Sequence, residues 1–209
     1  MSGLKFYDLS LPIADGMPSF KGDPVPEVRQ FKRIEADGYN LKEIRIGTHT
    51  GTHLDAPAHF IKGGKTIDQL DLSVLQGTAT CILYDPKKGI RLPGEHHDII
   101  LLYTGYNNMW NQMRVFKNFS YIDKMDAGLL KDYGVKMVGI DSPSAEIENS
   151  KDFETHRILL GGSIPIIENL NSAPLSSLVG RTFTLQVFPI LVKDGDGAPA
   201  RVIAMEEVA

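Results

Sequence analysis

The stretch that most constrains this chain is an apolar strand ending in Leu101 and Leu102, a helical segment Lys124–Tyr133, and a second apolar run Met137–Ile140. Asp123 is a good N-cap, and Gly134 suits the left-handed residue just past a helix end, so this helix has both a start and a stop. A helix of that length between two strands reads as a crossover, and crossovers connect parallel neighbours. Elsewhere, short apolar stretches punctuated by Gly, Pro and Asp predict strands over 5–10, 27–34, 41–47, 78–84, 99–103, 136–140, 164–167, 182–188 and 201–205. So many strands imply a large or folded-over sheet. A second helix is expected from near Ser150 or Asp152 through Leu160, ending at Gly161 and Gly162. The fold class is α/β, with a mixed, strand-rich sheet and few helices.

A chain of 209 residues suits one domain with one core over its whole length, 1–209. Its formal charge is only −4 and its Lys and Arg are scattered, so there is no electrostatic footprint for nucleic acid or an anionic membrane. No stretch reaches the ~20 apolar residues of a membrane span, and MSGLKFYDLS lacks the apolar region of a signal peptide, so a cytoplasmic location is expected. The lone Cys81 lies in an apolar run and reads as a buried, inert thiol. The pairs Gly63-Gly64 and Gly161-Gly162 match neither a phosphate-cradling loop nor a dinucleotide fingerprint. A small-molecule partner is the expectation that remains.

The segment 48-THTGTHLDAPAHF-60 carries the chemistry. It packs His49, His53, Asp55 and His59 into eleven residues, where an even spread of the chain's six histidines would place about 0.3. All four groups stand at odd positions, so wherever the backbone is extended they project to one face. Gly51 and Pro57 argue against a helix and predict a bent, concave face. Imidazoles and a carboxylate gathered in this way are natural ligands for Zn²⁺, Mn²⁺ or a similar ion. Buried without a metal, they would carry a desolvation cost that hydrogen bonds only partly offset.

The pattern His-x-Gly-Thr-His-x-Asp-x-Pro-x-His, filled without departure by His49 through His59, resembles the signature of the metal-dependent cyclase family that includes bacterial kynurenine formamidase and isatin hydrolase. The segments 8-DLSLPIADGMPSFKGDP-24, 104-TG-105 and 139-GIDSPSAE-146 resemble further pieces of that family in the right order, as does His156 followed twelve residues later by Glu168. The resemblance implies a swivelling β/β/α fold and a hydrolase centre of one or two metals. It implies that His49, His53 and Asp55 hold a first ion, and that Asp55 bridges to a second completed by His156 and Glu168. It gives His59 a general acid/base role. The chemistry agrees with that division: a bound ion acidifies its water and polarises a carbonyl, while a nearby free imidazole carries the proton to a leaving nitrogen.

The expected activity is hydrolysis of a small amide, formamide or cyclic amide, with N-formylkynurenine the first substrate to test. A lactonase or esterase on the same centre, or a binding module without turnover, stays open. Phe20, Tyr106 and Trp110 are candidates to stack on an aromatic substrate. Glu146 stands where relatives often have Asp, and His96 and His97 read as solvated loop residues. The loop bearing Met17, Pro18 and Phe20 is apolar for an exposed loop, which points to a homodimer or higher homo-oligomer.

Overall fold

The computed structural model describes residues 3–20, 22–106 and 116–208. Its strands are β1 (Gly3–Asp8), β2 (Glu27–Lys32), β3 (Leu41–Arg45), β4 (His53–Asp55), β5 (Gln76–Leu83), β6 (Ile99–Tyr103), β7 (Met137–Ile140), β8 (Ile166–Glu168), β9 (Thr182–Pro189) and β10 (Gly197–Val208). Its α-helices are α1 (Ile34–Asp37), α2 (Lys124–Tyr133), α3 (Glu154–Gly161) and α4 (Ser172–Ser176). Eight strands form one sheet in the order β1-β10-β4-β8-β7-β6-β5-β9, and a further β9–β10 pairing rolls it into a barrel-like sheet. The expected crossover is present: α2 links β6 to β7, which pair in parallel, and β5–β6 and β7–β8 are parallel too. The remaining pairs are antiparallel, so the sheet is mixed and rich in strands, with few helices.

Helix α2 begins and ends as its residues dictate. The Asp123 side chain accepts from the Met125 amide at 2.8 Å, and Gly134 takes φ 84°. Strand alternation divides the core in two. Leu54, Ile99, Leu101, Met137, Ile167, Leu185 and Val202 point into the barrel. Ile100, Leu102, Val138, Ile140 and Ile166 point outward, where Ala127 and Leu130 of α2 and Leu159 and Leu160 of α3 cover them. Between two strands of that wall, Gly139 leaves no room for a side chain, because a Cβ there would meet Leu101 Cδ2 at 2.6 Å.

Some expectations are corrected. Met17 and Pro18 are buried, with the Met17 thioether against the Gly51 turn, so their loop is not an exposed apolar one. One group of exposed apolar side chains sits on the β2–β3 hairpin, a separate two-stranded sheet, where Phe31, Ile34, Leu41 and Ile44 are about half exposed. His97 is buried rather than solvated: its Nδ1 meets the Glu95 carbonyl at 2.9 Å and its Nε2 meets Thr182 Oγ1 at 3.0 Å. His96 is exposed and stacks on Tyr133. Cys81 is buried as expected, and its surroundings push the thiol well above the ordinary range.

Candidate metal centre

The site lies on the outer face of the barrel wall, where β4 and β8 pair and α3 covers them. Since Leu54 and Ile167 point into the barrel, alternation sends His53 and Asp55 of β4, with Glu168 of β8, to the opposite face. His53 stands directly across from Glu168 in the register. The extended backbone aligns only His53 and Asp55, and turns on either side bring in the other two groups. Gly51, at φ 65°, folds His49 back onto Asp55, and a single 3-10 turn, Pro57–His59, presents His59. Helix α3 delivers His156, and its N-cap, Phe153, sits in the left-handed region at φ 51°. The Phe153 ring packs 5.0 Å from Phe60, whose ring in turn lies 4.5 Å from His156 and 4.4 Å from His59.

The donor atoms converge on Asp55. Its Oδ1 lies 2.7 Å from His49 Nδ1 and 3.3 Å from His53 Nε2, and its Oδ2 lies 3.6 Å from His156 Nε2. Glu168 faces the same space, with Oε2 3.4 Å from His53 Nε2 and Oε1 3.3 Å from His156 Nε2. Two ligand atoms that each sit about 2.0–2.2 Å from one ion are about 3.0–3.5 Å apart, close to these separations. Ligand atoms of His49, Asp55 and His59 lie within 4.8 Å of one another, and so do those of His53, Asp55 and Glu168.

Two further observations fit a metal. Among the described residues, His53 Nε2 and Asp55 Oδ2 are buried with no hydrogen-bond partner, although both face charged or polar groups. Each ligand-type imidazole also has its far nitrogen tied to a protein acceptor: His53 Nδ1 to the Gly51 carbonyl at 2.8 Å, His49 Nε2 to Asp196 Oδ2 at 2.9 Å, and His156 Nδ1 to Glu146 Oε2 at 3.3 Å. Such outer contacts fix the tautomer so that the near nitrogen presents a lone pair. The charge balance of the metal-free cluster agrees. Burial pulls His53 and His156 down, but the carboxylates outweigh it, lifting His53 to about 10 and His156 well above its ordinary value. Burial pushes Asp55 up, yet the three imidazoles hold it well below the usual carboxylate range. Protons occupy positions that a divalent ion can take. His59 differs, because burial dominates and lowers it.

The segment 139–146 acts on the site indirectly. The Ala145 amide donates to Glu168 Oε1 at 2.6 Å, and Glu146 Oε2 lies 3.3 Å from His156 Nδ1. Buried Asp141 accepts from the Thr104 amide and hydroxyl, the Gly105 amide and the Ser172 hydroxyl, so the 104–105 turn is fastened to the same segment.

The structure thus brings together His49, His53, Asp55, His59, His156 and Glu168. Phe20 and Tyr106 belong to an aromatic group with Phe116 and Phe119. Trp110 lies outside the described residues. Sequence reasoning missed Asp196, whose Oδ2 contacts both His49 and His59. The available signal was a carboxylate at the entry to the last strand, directly before Gly197, which pairs with Asp55.

A family model described as Putative cyclase matches residues 7–147, and the chain belongs to that family. It is 34% identical over 206 residues to a protein of Geobacillus thermodenitrificans named kynurenine formamidase, covering 94% of this chain and 95% of the relative. A solved structure described as a potential metal-dependent hydrolase with cyclase activity superposes with a TM-score of 0.79 at 26% identity, over 99% of this chain and 100% of its own. Isatin hydrolase A from Ralstonia solanacearum shares the fold, with a TM-score of 0.81 at 17% identity over 97% of this chain and 92% of its own. Fold, donor cluster and relatives make this chain a hydrolase.

Proposed function

We propose that this chain hydrolyses a small amide, formamide or cyclic amide at a metal centre built on Asp55, with N-formylkynurenine the first candidate substrate. The observation that carries the reading is the pair of buried, unpartnered atoms, His53 Nε2 and Asp55 Oδ2, set among His49, His156 and Glu168. Zn²⁺ is the first candidate ion and Mn²⁺ the second, since imidazole suits zinc and carboxylates also suit manganese. When bound there, such an ion polarises a carbonyl and makes a water acidic enough to ionise near neutral pH.

In this reading His49, His53 and Asp55 hold one ion, and Asp55, His156 and Glu168 a second. His59 is the proton carrier. It is partly exposed, its ring sits 4.0 Å from that of His49, and burial lowers its pKa, favouring the neutral imidazole. With Nδ1 on Asp196, its Nε2 is free to take a proton and pass it to the leaving nitrogen. Phe20 and Tyr106 are the candidates to stack on an aryl substrate in this reading, and the name of the Geobacillus relative supports an aryl substrate. The protein acts in the cytoplasm as a homodimer or higher homo-oligomer in this account. The described residues contain no helix long and apolar enough to cross a membrane, and the apolar β2–β3 hairpin supports self-association.

The test is His59→Ala, assayed with N-formylkynurenine and a panel of lactams and lactones. Loss of about 10²–10⁴-fold in kcat with metal content retained is expected of a proton carrier. Wild-type turnover of lactones alone would move the assignment to an ester hydrolase, and no turnover in either form would leave a binding module.

A further inference from the structure

Asp196 enters the site from a part of the chain remote from the histidine segment. It precedes β10, whose first residue, Gly197, pairs with Asp55, and its own carbonyl accepts from the Ala56 amide at 2.9 Å. The sheet therefore fixes its backbone beside the candidate ligands. From there one carboxylate oxygen, Oδ2, meets His49 Nε2 at 2.9 Å and His59 Nδ1 at 3.2 Å. The two rings stack with centroids 4.0 Å apart and planes tilted by 31°. One oxygen with two lone pairs can thus accept an N–H from each ring.

We propose that Asp196 is a positioning residue that sets the tautomer and orientation of His49 and His59 together, turning His49 Nδ1 toward Asp55 as a metal donor and leaving His59 Nε2 free as the proton acceptor. The inference rests on the metal-hydrolase reading above. Its physical basis is general. A ligating imidazole with its far N–H on a carboxylate is locked in rotation and made more basic, and loss of that partner weakens metal binding about 10- to 100-fold. An imidazole base held by a carboxylate through one nitrogen keeps its other nitrogen unprotonated, the logic by which an aspartate supports a catalytic histidine. Here both effects pass through one atom. The open side of the site suits the role, because Asp196 keeps 44% of its side-chain surface exposed.

The experiment compares wild type, Asp196→Ala and Asp196→Asn in two measurements. Metal-stripped protein is first titrated with Zn²⁺ by calorimetry. In Asp196→Ala the ion that depends on His49 should bind about 10- to 100-fold more weakly, while the ion held by His156 and Glu168 keeps its affinity. Asp196→Asn, which retains one acceptor oxygen, should fall between. Turnover of an amide substrate at saturating Zn²⁺ is then measured. Asp196→Ala should lower kcat with KM little changed, and the same substitution in a His59→Ala background should lower it no further. Unchanged zinc affinities in Asp196→Ala overturn the inference. Equal weakening of both ions together with a lowered melting temperature of the metal-stripped protein also overturns it, because that is the mark of a merely structural residue. If wild type itself binds no zinc, the metal-hydrolase reading falls and takes this inference with it, an outcome recognisable without any variant.

Discussion

At the scale of single residues, the site is shaped as much by what is absent as by what is present. Gly197 has no side chain because His49 fills that space: a Cβ there would lie 2.6 Å from the ring's Cε1 and 3.0 Å from its Nε2. The ring is held at both ends, by Asp55 and Asp196, so it cannot swing aside without losing a contact. Gly197→Ala is therefore expected to leave the fold intact and to weaken zinc binding by at least about tenfold, through the same loss of ligand orientation. A zinc competition assay with a chromogenic chelator checks this, and unchanged affinity would mean the ring relaxes freely. The candidate ligands of the histidine segment were legible in the sequence because three imidazoles and a carboxylate crowd it. Asp196 was not, since 147 residues separate it from His49 and it reads as one more turn residue in 193-KDGDG-197. His97 was misread for the same reason, its burial being decided by Thr182, 85 residues away.

At the scale of elements, those with their own local signals were the legible ones. Helix α2 carries both caps, and β6 is a continuous apolar run, so the residues set both boundaries. Strand β4 was not assigned, because three residues are too few for a period and its pairing partners are β8 and β10. Helices α1 and α4 were likewise not anticipated, each being about one turn. The β2–β3 hairpin is the element whose surface most needs an explanation. Two strands alone are marginal in water, and this pair leaves Phe31, Ile34, Tyr39, Leu41 and Ile44 about half exposed or more. The proposed homo-oligomer would place a second copy of the chain over the hairpin. Light scattering at micromolar concentration should then give at least twice 23.1 kDa for wild type and a shift toward the monomer mass for Ile44→Asp. A monomeric wild type would contradict it.

At the scale of the molecule, the sheet brings distant segments to one point. Strand β4 carries His53 and Asp55, β8 carries Glu168, α3 carries His156, and the entry to β10 carries Asp196. The barrel interior contributes rigidity, and the site occupies its outer wall. The charge distribution makes stability depend on pH in a definite sense. In metal-free protein His53 is raised from 6.5 to about 10 and His156 is raised well above 6.5, because neighbouring carboxylates outweigh burial. A group raised on folding contributes stability that is fully present below its unfolded value, near 6.5, and is lost as pH rises through the folded one. The melting temperature of the metal-free protein is thus expected to fall between about pH 7 and pH 10. Zinc should raise it and flatten that slope, because coordinated imidazoles carry no proton to lose. Parallel slopes with and without zinc would contradict this picture.

The central claim is that Asp55 is the shared ligand of a metal centre, and it is tested most directly by zinc titration of metal-stripped wild type beside Asp55→Ala. The account predicts about two ions per chain for wild type and loss of tight binding at both positions in the variant, since each ion leans on the same carboxylate. Wild type that binds no zinc, or an Asp55→Ala protein that binds as much and as tightly as wild type, would contradict it.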